Sequence, residues 1–457
     1  MNTIFKKIIL LFTLLVIGNV ANAQLTLGQI QNQIPRDQNG INQFDVKKDS
    51  VEFKGLSVDL GAAFALQFQA IDQFNDQPAT QTAPISGYRL NNLSNNLNLP
   101  TANMTIGAQL ADGVRVNLDL YLASRHHHET WVKGGYLQID KLDFIKEGFA
   151  SDIMKYATIK IGQMENNYGD AHFRRSDNGN ALMNPFVGNN IMDAFTTEPG
   201  IEVYYNRSGF VSMLGVTNSK LNQDVKEIKA GTPGQNTTIS PTILAKVGFD
   251  KQLSDDLRVR LTGSLYHVSN SSGNLYASDR AGSRFYGVMT HDDYTGIAGP
   301  VSSNFDPTSN KDTGRFNPGF GNWATSFMVN PFVKYGGLEL FGTLEFASGG
   351  NKRGDDATRK VNQYAGDVVY RFGNKENLYI GAKYNTVSGK LSNADANKIN
   401  INRFESSLGW FMTKNILTKL EYVNQNYKDF NITSGGNPND LYGGKFKGLV
   451  FEAVISF

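Results

Sequence analysis

The residues best suited to chemistry lie in one polar stretch near the middle of the chain, KIGQMENNYGDAHFRRSDNGNALMNPF, from Lys160 to Phe186. Guanidinium, imidazole and carboxylate groups can each bind an ion or steer a charged solute, and the surrounding glycines and asparagines favour a loop. Because the stretch separates two apolar alternating runs, it predicts a polar loop between two strands. The candidate residues are Asp170, His172, Arg174, Arg175 and Asp177.

A second cluster, RHHHE from Arg125 to Glu129, has residue types that bind zinc or copper. Consecutive residues of an extended loop point in different directions, so they rarely supply three ligands to one ion. The sequence therefore favours a solvated loop tip and leaves a metal contact by His126, His127 and His128 open; no cofactor is expected. We expect no enzyme, because no Ser-His-acid signature and no phosphate-binding glycine loop are present.

Composition and the first residues limit the class of protein. The chain has 457 residues, with 44 Lys and Arg against 42 Asp and Glu and no cysteine, which excludes a disulfide framework. Lys6 and Lys7 precede an apolar run that ends at Ala21-Asn22-Ala23, and this pattern predicts a secretory signal peptide over residues 1–23. Removal of the two lysines brings the formal charge from +2 to 0, so charge gives no reason to expect nucleic acid as a partner.

The first long run after this leader, Gly55 to Ile71, alternates strictly between apolar residues and polar or small ones. This period of two is that of a strand with one apolar face. Its length suits a tilted membrane crossing, which takes about 9–11 residues, better than a soluble sheet. Similar runs bring the count to about sixteen; they lie at 101–110, 114–125, 131–140, 157–164, 200–206, 209–217, 241–250, 256–268, 324–335, 338–348, 360–372, 377–388, 402–413, 416–428 and 446–457.

The connections between these runs alternate in length. Long links rich in Gly, Asn, Ser and Asp alternate with short links at 111–113, 206–209, 250–255, 335–337, 373–376 and 414–415. An even-stranded barrel with both termini in the periplasm has this pattern, with short turns inside and long loops outside. The link at 141–156 is long where a short turn is expected, and the outside link at 269–323 is long enough to cover or enter the mouth.

These patterns predict an all-β protein: a transmembrane antiparallel up-and-down β-barrel of about 16 strands in the outer membrane of a Gram-negative bacterium. The predicted divisions are a signal peptide at 1–23, a periplasmic N-terminal linker at 24–54 and the barrel at 55–457. A soluble β-sandwich or β-helix is the alternative. Every run offers the same apolar face, however, and no separate core partner is visible.

The polar faces of the runs carry positive and negative side chains in balance. A pore selective for phosphate needs a surplus of Lys and Arg along its path, and the wall lacks one. Opposite charges inside a barrel can also pair and brace it. The residues expected on the lumen wall include Arg115, Asp119, Lys160, Glu202, Arg258 and Arg260.

Residues 158–205 resemble the phosphate-selective porin O/P-like family and related substrate-selective trimeric porins. A strand ends in Gly162-Gln163, an aromatic-Gly turn and a charged third loop follow, and a return strand opens with Glu198-Pro199-Gly200. The chain departs from the family where Asn167-Tyr168-Gly169 replaces Pro-Phe-Gly. We do not carry phosphate selectivity over, because the wall charges are balanced.

In such porins the third external loop folds inward and narrows the pore. The resemblance therefore implies that residues 165–198 enter the lumen, with Arg174, Arg175 and His172 on the positive side of a constriction, opposed by Asp170 or Asp177. An external, solvated loop is the alternative.

We expect a porin that forms a water-filled channel for passive diffusion of small hydrophilic solutes or ions. The alternative is a non-transport barrel, a scaffold, adhesion or assembly subunit, whose lumen is closed by loops 165–199 and 269–323. Expected partners are outer-membrane lipid and lipopolysaccharide, the solutes, and further copies of the chain in a homotrimer. The resemblance implies the trimer, and the small residues Gly61-Ala62-Ala63 would permit close barrel contact.

Overall fold

The computed structural model describes residues 26–27, 30–78, 90–123, 130–176, 180–219, 240–271, 273–276, 284–290, 313–351, 358–391, 398–434 and 437–457. The predicted signal peptide, the cluster from Arg125 to Glu129, and Asp177 lie outside these residues.

Sixteen long strands form the wall in the described part of the chain. They are β1 (Ser57–Phe74), β2 (Asn96–Ala111), β3 (Val114–Ala123), β4 (Trp131–Ile139), β5 (Ala157–Glu165), β6 (Thr197–Arg207), β7 (Phe210–Thr217), β8 (Thr242–Gln252), β9 (Leu257–Val268), β10 (Trp323–Tyr335), β11 (Leu338–Gly350), β12 (Arg359–Phe372), β13 (Leu378–Lys390), β14 (Ile399–Thr413), β15 (Ile416–Lys428) and β16 (Lys445–Ser456).

Each of these strands pairs antiparallel with its neighbours in the sequence. The last strand, β16, closes the ring on β1, with Phe451 opposite Phe68. This confirms the predicted all-β, antiparallel up-and-down barrel of 16 strands. The remaining elements are small: a parallel pairing of Thr26–Leu27 with β1, a hairpin of Thr433–Ser434 and Asn437–Pro438, a helix α1 (Ser151–Met154), and 3-10 turns at Gln38–Gly40 and Ala171–Arg174.

The two faces of the wall differ as the alternation predicts. Large apolar side chains such as Leu214, Leu261 and Ile380 are exposed on the outside, whereas Gln363 and Asn385 are buried inside. An outward apolar surface on a closed barrel is the arrangement of bacterial outer-membrane proteins, since no strand edge is left unpaired in the lipid. Among the described residues, no helix is long and apolar enough to cross a membrane.

Tight turns join the strands at one end of the barrel. Ala111 and Val114 are register partners around the turn between β2 and β3, where Gly113 has a φ of 70°, a conformation that glycine adopts without strain. The link between β4 and β5 is the exception at this end, as the sequence indicated, and it contains α1.

The lumen is largely filled with protein. Tyr168, Val187 and Ile191, from the loop between β5 and β6, pack against wall residues such as Tyr266 and against outer-loop residues such as Phe285. All of these side chains are buried. Apolar side chains therefore form a core inside the barrel, in addition to those exposed on its lipid-facing surface.

Candidate functional site: the lumen of the barrel

The loop between β5 and β6, of which the structure describes residues 166–176 and 180–196, reaches the opposite wall of the lumen. The backbone N–H of Val187 donates to Glu421 on β15 at 2.6 Å. Those of Ile191 and Met192 donate to Asn385 on β13 at 2.6 Å and Gln363 on β12 at 2.8 Å. In a ring of sixteen strands, β13 lies diametrically opposite β5. We call residues 166–196 the inward loop.

Asp170 binds the start of the inward loop, close to β5, to side chains of the wall. Its carboxylate accepts hydrogen bonds from Arg260 at 2.8 and 3.0 Å, from Lys246 at 3.0 Å and from Thr262 at 2.6 Å. Burial alone would raise the pKa of this carboxyl, but Lys246 and Arg260 hold that pKa well below its ordinary value. Asp170 is therefore neutralised by cations of β8 and β9 and not by the arginines of its own loop.

The two adjacent arginines diverge. Arg175 donates two hydrogen bonds to Asp193 of the same loop, both at 2.7 Å, and its guanidinium lies 3.8 Å from the centre of the Phe195 ring. Arg174 points to the other side, 4.9 Å from the Phe341 ring and 3.8 Å from a carboxylate oxygen of Glu339. Both arginines are buried. The structure thus separates the charges that the resemblance placed together.

His172 lies on the open side of the inward loop. One ring nitrogen is 3.0 Å from Glu165 and the other 2.9 Å from the side-chain oxygen of Asn167. His172, Asp170, Arg174 and Arg175 all lie in the lumen; their role as a pore constriction stays a prediction.

The residues expected on the lumen wall face inward, with different partners. Arg258 forms a two-pronged pair with Asp250 at 2.8 and 2.7 Å. Arg115 donates to Gln138 at 2.6 Å, and Glu202 accepts from the backbone N–H of Asn167 at 3.0 Å. Such pairing braces the wall, as the balance of charges suggested.

Residues 30–49 occupy the lumen at the short-turn end of the barrel. Asp45 pairs with Arg260 at 2.6 Å, Asn42 donates to Glu339 at 2.6 Å, and Lys48 pairs with Asp140 at 2.6 Å. Phe44 lies 5.1 Å from Phe332, ring centre to ring centre. We call residues 30–49 the N-terminal plug.

The sequence predicted a periplasmic linker at 24–54. A free linker would not contact the barrel, whereas the N-terminal plug forms ion pairs and hydrogen bonds with its wall. Sequence reasoning missed it because the segment lacks periodicity, so its partners were invisible. One weak signal existed: Phe44 is a large apolar residue that stands next to the charged Asp45.

Parts of the long outer link also enter the lumen. Arg284 pairs with Glu452 of β16, and the backbone N–H of Phe316 donates to the carbonyl of Ile191 at 2.8 Å. Arg403 donates to the carbonyls of Asn189 at 2.5 Å and Gly314 at 2.8 Å, and so ties both loops to β14. The expectation that this link covers or enters the mouth agrees with these contacts.

A cavity of about 330 Å³, lined by both polar and apolar side chains, remains along the wall of β3 to β6. It is bounded by the N-terminal plug at one end and by the inward loop at the other. Its lining includes the charged residues Asp119, Lys133, Lys160, Glu165 and His172. A second cavity of about 560 Å³ opens at the short-turn end, between the plug and the ends of β8 to β12.

Lys160 and Asp119 stand out in the first cavity. The Lys160 ammonium lies 5.3 Å from the centre of the Tyr136 ring and 5.0 Å from that of Tyr204. Asp119 accepts from Thr105 at 2.7 Å and from Asn117 at 2.8 Å. Neither charge forms an ion pair within the part of the chain that the structure describes.

Comparison with known proteins gives structural neighbours only. No protein-family model and no curated protein matches the chain, so the resemblance to the phosphate-selective family is not confirmed. OmpT of Vibrio cholerae is 11% identical, with a TM-score of 0.49 over 89% of this chain and 99% of that one.

Two further solved structures are similar at the same level. An anion-selective porin from Comamonas acidovorans is 11% identical, with a TM-score of 0.49 over 88% of this chain and 100% of that one. OprB of Pseudomonas putida gives the same identity and TM-score over 88% and 94%. At these values the likeness assigns neither a family nor a function to this chain.

Proposed function

We propose that this protein is an outer-membrane porin, a narrow channel through which small hydrophilic solutes or ions diffuse along the β3 to β6 side of the lumen. The observation that carries the proposal is the cavity on this side and, in its lining, the charges of Lys160 and Asp119, which form no ion pair with the described residues. A charge inside a barrel with no counter-charge is costly unless water or a solute solvates it. This side of the lumen therefore suits a hydrated path.

The rest of the lumen has the opposite character. Many of its charges form buried pairs, among them Arg371 with Glu339, Lys383 with Glu405, and Lys419 with Glu452. Apolar residues of the inward loop fill the space between them. We therefore place the path on one side of the barrel and not along its axis.

Reconstitution into a planar bilayer tests the proposal through two opposite variants. Lys160→Gln removes a positive charge from the path and should shift the reversal potential toward cations, whereas Asp119→Asn should shift it toward anions. A single charge in a wet path is worth up to about 1 kcal/mol, so the permeability ratio should change by about twofold to fivefold.

Lys251→Gln is the matched control, because it removes the same charge from an exposed residue at the end of β8. Its reversal potential should equal that of the unaltered protein. If neither Lys160→Gln nor Asp119→Asn changes the reversal potential, the path lies elsewhere.

A second candidate is a non-transport barrel that serves as a scaffold, adhesion or assembly subunit. The hydrogen bond from Phe316 to Ile191 favours it, because there the outer link and the inward loop meet inside the barrel. Folded protein that inserts into bilayers without stepwise conductance would support this candidate and contradict the channel.

A further inference from the structure

The link between β4 and β5 leaves the barrel rim and folds back along its outer wall. Met154 of α1 is buried against Ile139 and Ala157, at the ends of the two strands that the link joins. Gln138 and Thr158, at the alternate positions of the two strands, both donate hydrogen bonds to Asp140, which pairs with Lys48 of the N-terminal plug in the lumen. Ile139 and Ala157 therefore face outward. The link therefore lies on the lipid side of the barrel.

The other face of this link is an unusual apolar patch. Phe144 is 60% exposed, Ile145 59%, Phe149 46% and Ile153 62%. Removing a large apolar side chain from water is worth about 1.5–3 kcal/mol when burial is complete. Four such side chains on one short segment indicate a surface that is not meant to face water.

The patch lies at the short-turn end of the barrel, on a link that packs against the outer wall. Exposed aromatic residues mark this end on the strands around the ring: Phe210, Tyr335, Tyr370, Phe372, Trp410 and Phe457. A girdle of this kind marks the boundary between hydrocarbon and headgroups in outer-membrane barrels. Phe144 and Phe149 supply aromatic rings to the same end of the molecule.

We infer that residues 142–155 form a phospholipid-binding collar at the periplasmic leaflet. Acyl chains would cover Phe144, Ile145, Phe149 and Ile153, and the exposed ammonium of Lys146 would meet the headgroup phosphates. The inference depends on membrane insertion of the barrel but not on whether the lumen conducts.

The absence of cysteine from the chain allows a direct test, since a nitroxide label can be attached to one introduced cysteine. Phe149→Cys and Ile153→Cys proteins are labelled and reconstituted in phosphatidylethanolamine–phosphatidylglycerol vesicles. Collision rates with oxygen, which enters lipid, and with a water-soluble nickel chelate then report the surroundings of each label. We expect oxygen to dominate at both positions.

Two matched labels calibrate the measurement. Leu214→Cys lies on the exposed outer face of β7 and reports lipid, whereas Lys375→Cys lies in the exposed turn between β12 and β13 and reports water. Heat-dependent mobility on gels shows that each variant is folded. Labels at 149 and 153 that behave like Lys375→Cys would overturn the inference, because the patch would then face the periplasm. Labels shielded from both reagents would overturn it in favour of a protein partner.

Discussion

Asp170 is the residue through which the inward loop is anchored near its origin. Its replacement in Asp170→Asn leaves Lys246 and Arg260 as buried positive charges with one counter-charge fewer, and breaking such a buried pair costs about 3–5 kcal/mol. We expect the loop to detach from the wall. In vesicles, trypsin should then cleave at Arg174 or Arg175, which are buried in the unaltered protein.

Acid should reproduce the effect of this substitution. The folded-state pKa of Asp170 is depressed, so its contribution to stability is fully present above the ordinary value of 3.8 and is lost as the pH falls through the folded-state pKa. Tested with pepsin, a protease that is active in acid, the loop of the unaltered protein should therefore stay protected down to that ordinary value. Asp152→Asn, at an exposed carboxylate outside the barrel, is the control and should remain protected. Protection of Asp170→Asn at neutral pH would show that the loop is held by its apolar contacts alone.

The N-terminal plug is the element that lies in the lumen at the short-turn end, so we expect it to limit access from that side. Deletion of residues 30–49 removes one partner from each of Arg260, Asp140 and Glu339, which keep Asp170, Thr158 and Arg371 as partners. We expect the deletion to leave the barrel folded and to raise single-channel conductance. Planar-bilayer recordings measure the change.

A substitution within the plug serves as the control for this deletion. Lys47 is exposed, so Lys47→Ala should leave conductance as it is. Equal conductance of the deletion variant and the unaltered protein would mean that the plug does not limit the path.

At the scale of the whole molecule, the open question is assembly. The small residues of β1 give less support to barrel contact than the sequence suggested, because Ala63 is buried on the lumen side and Gly61 lies against Arg36 of the plug. The expected homotrimer thus depends on the family resemblance alone. Native mass spectrometry in mild detergent should give the mass of three chains, and a monomer would contradict the prediction.

The sequence predicted the strands because the information for them is local. Alternation with a period of two, as in Gly55 to Ile71, assigns each side chain to lipid or lumen without knowledge of any partner. The structure confirms the sixteen strands, and their order follows once each pairs with its neighbour. The unusual link at 141–156 was also visible from its length alone.

The contents of the lumen required the tertiary structure. Asp170 finds its cations on Lys246 and Arg260, 76 and 90 residues away, and Asp45 reaches the same Arg260 from 215 residues away. The sequence shows that these charges are present in balance, but which of them pair depends on how closure of the ring brings distant strands and loops to one point. Short-range alternation determined the wall. Only the closed barrel decided which charges form ion pairs and which, like Lys160 and Asp119, form none with the described residues.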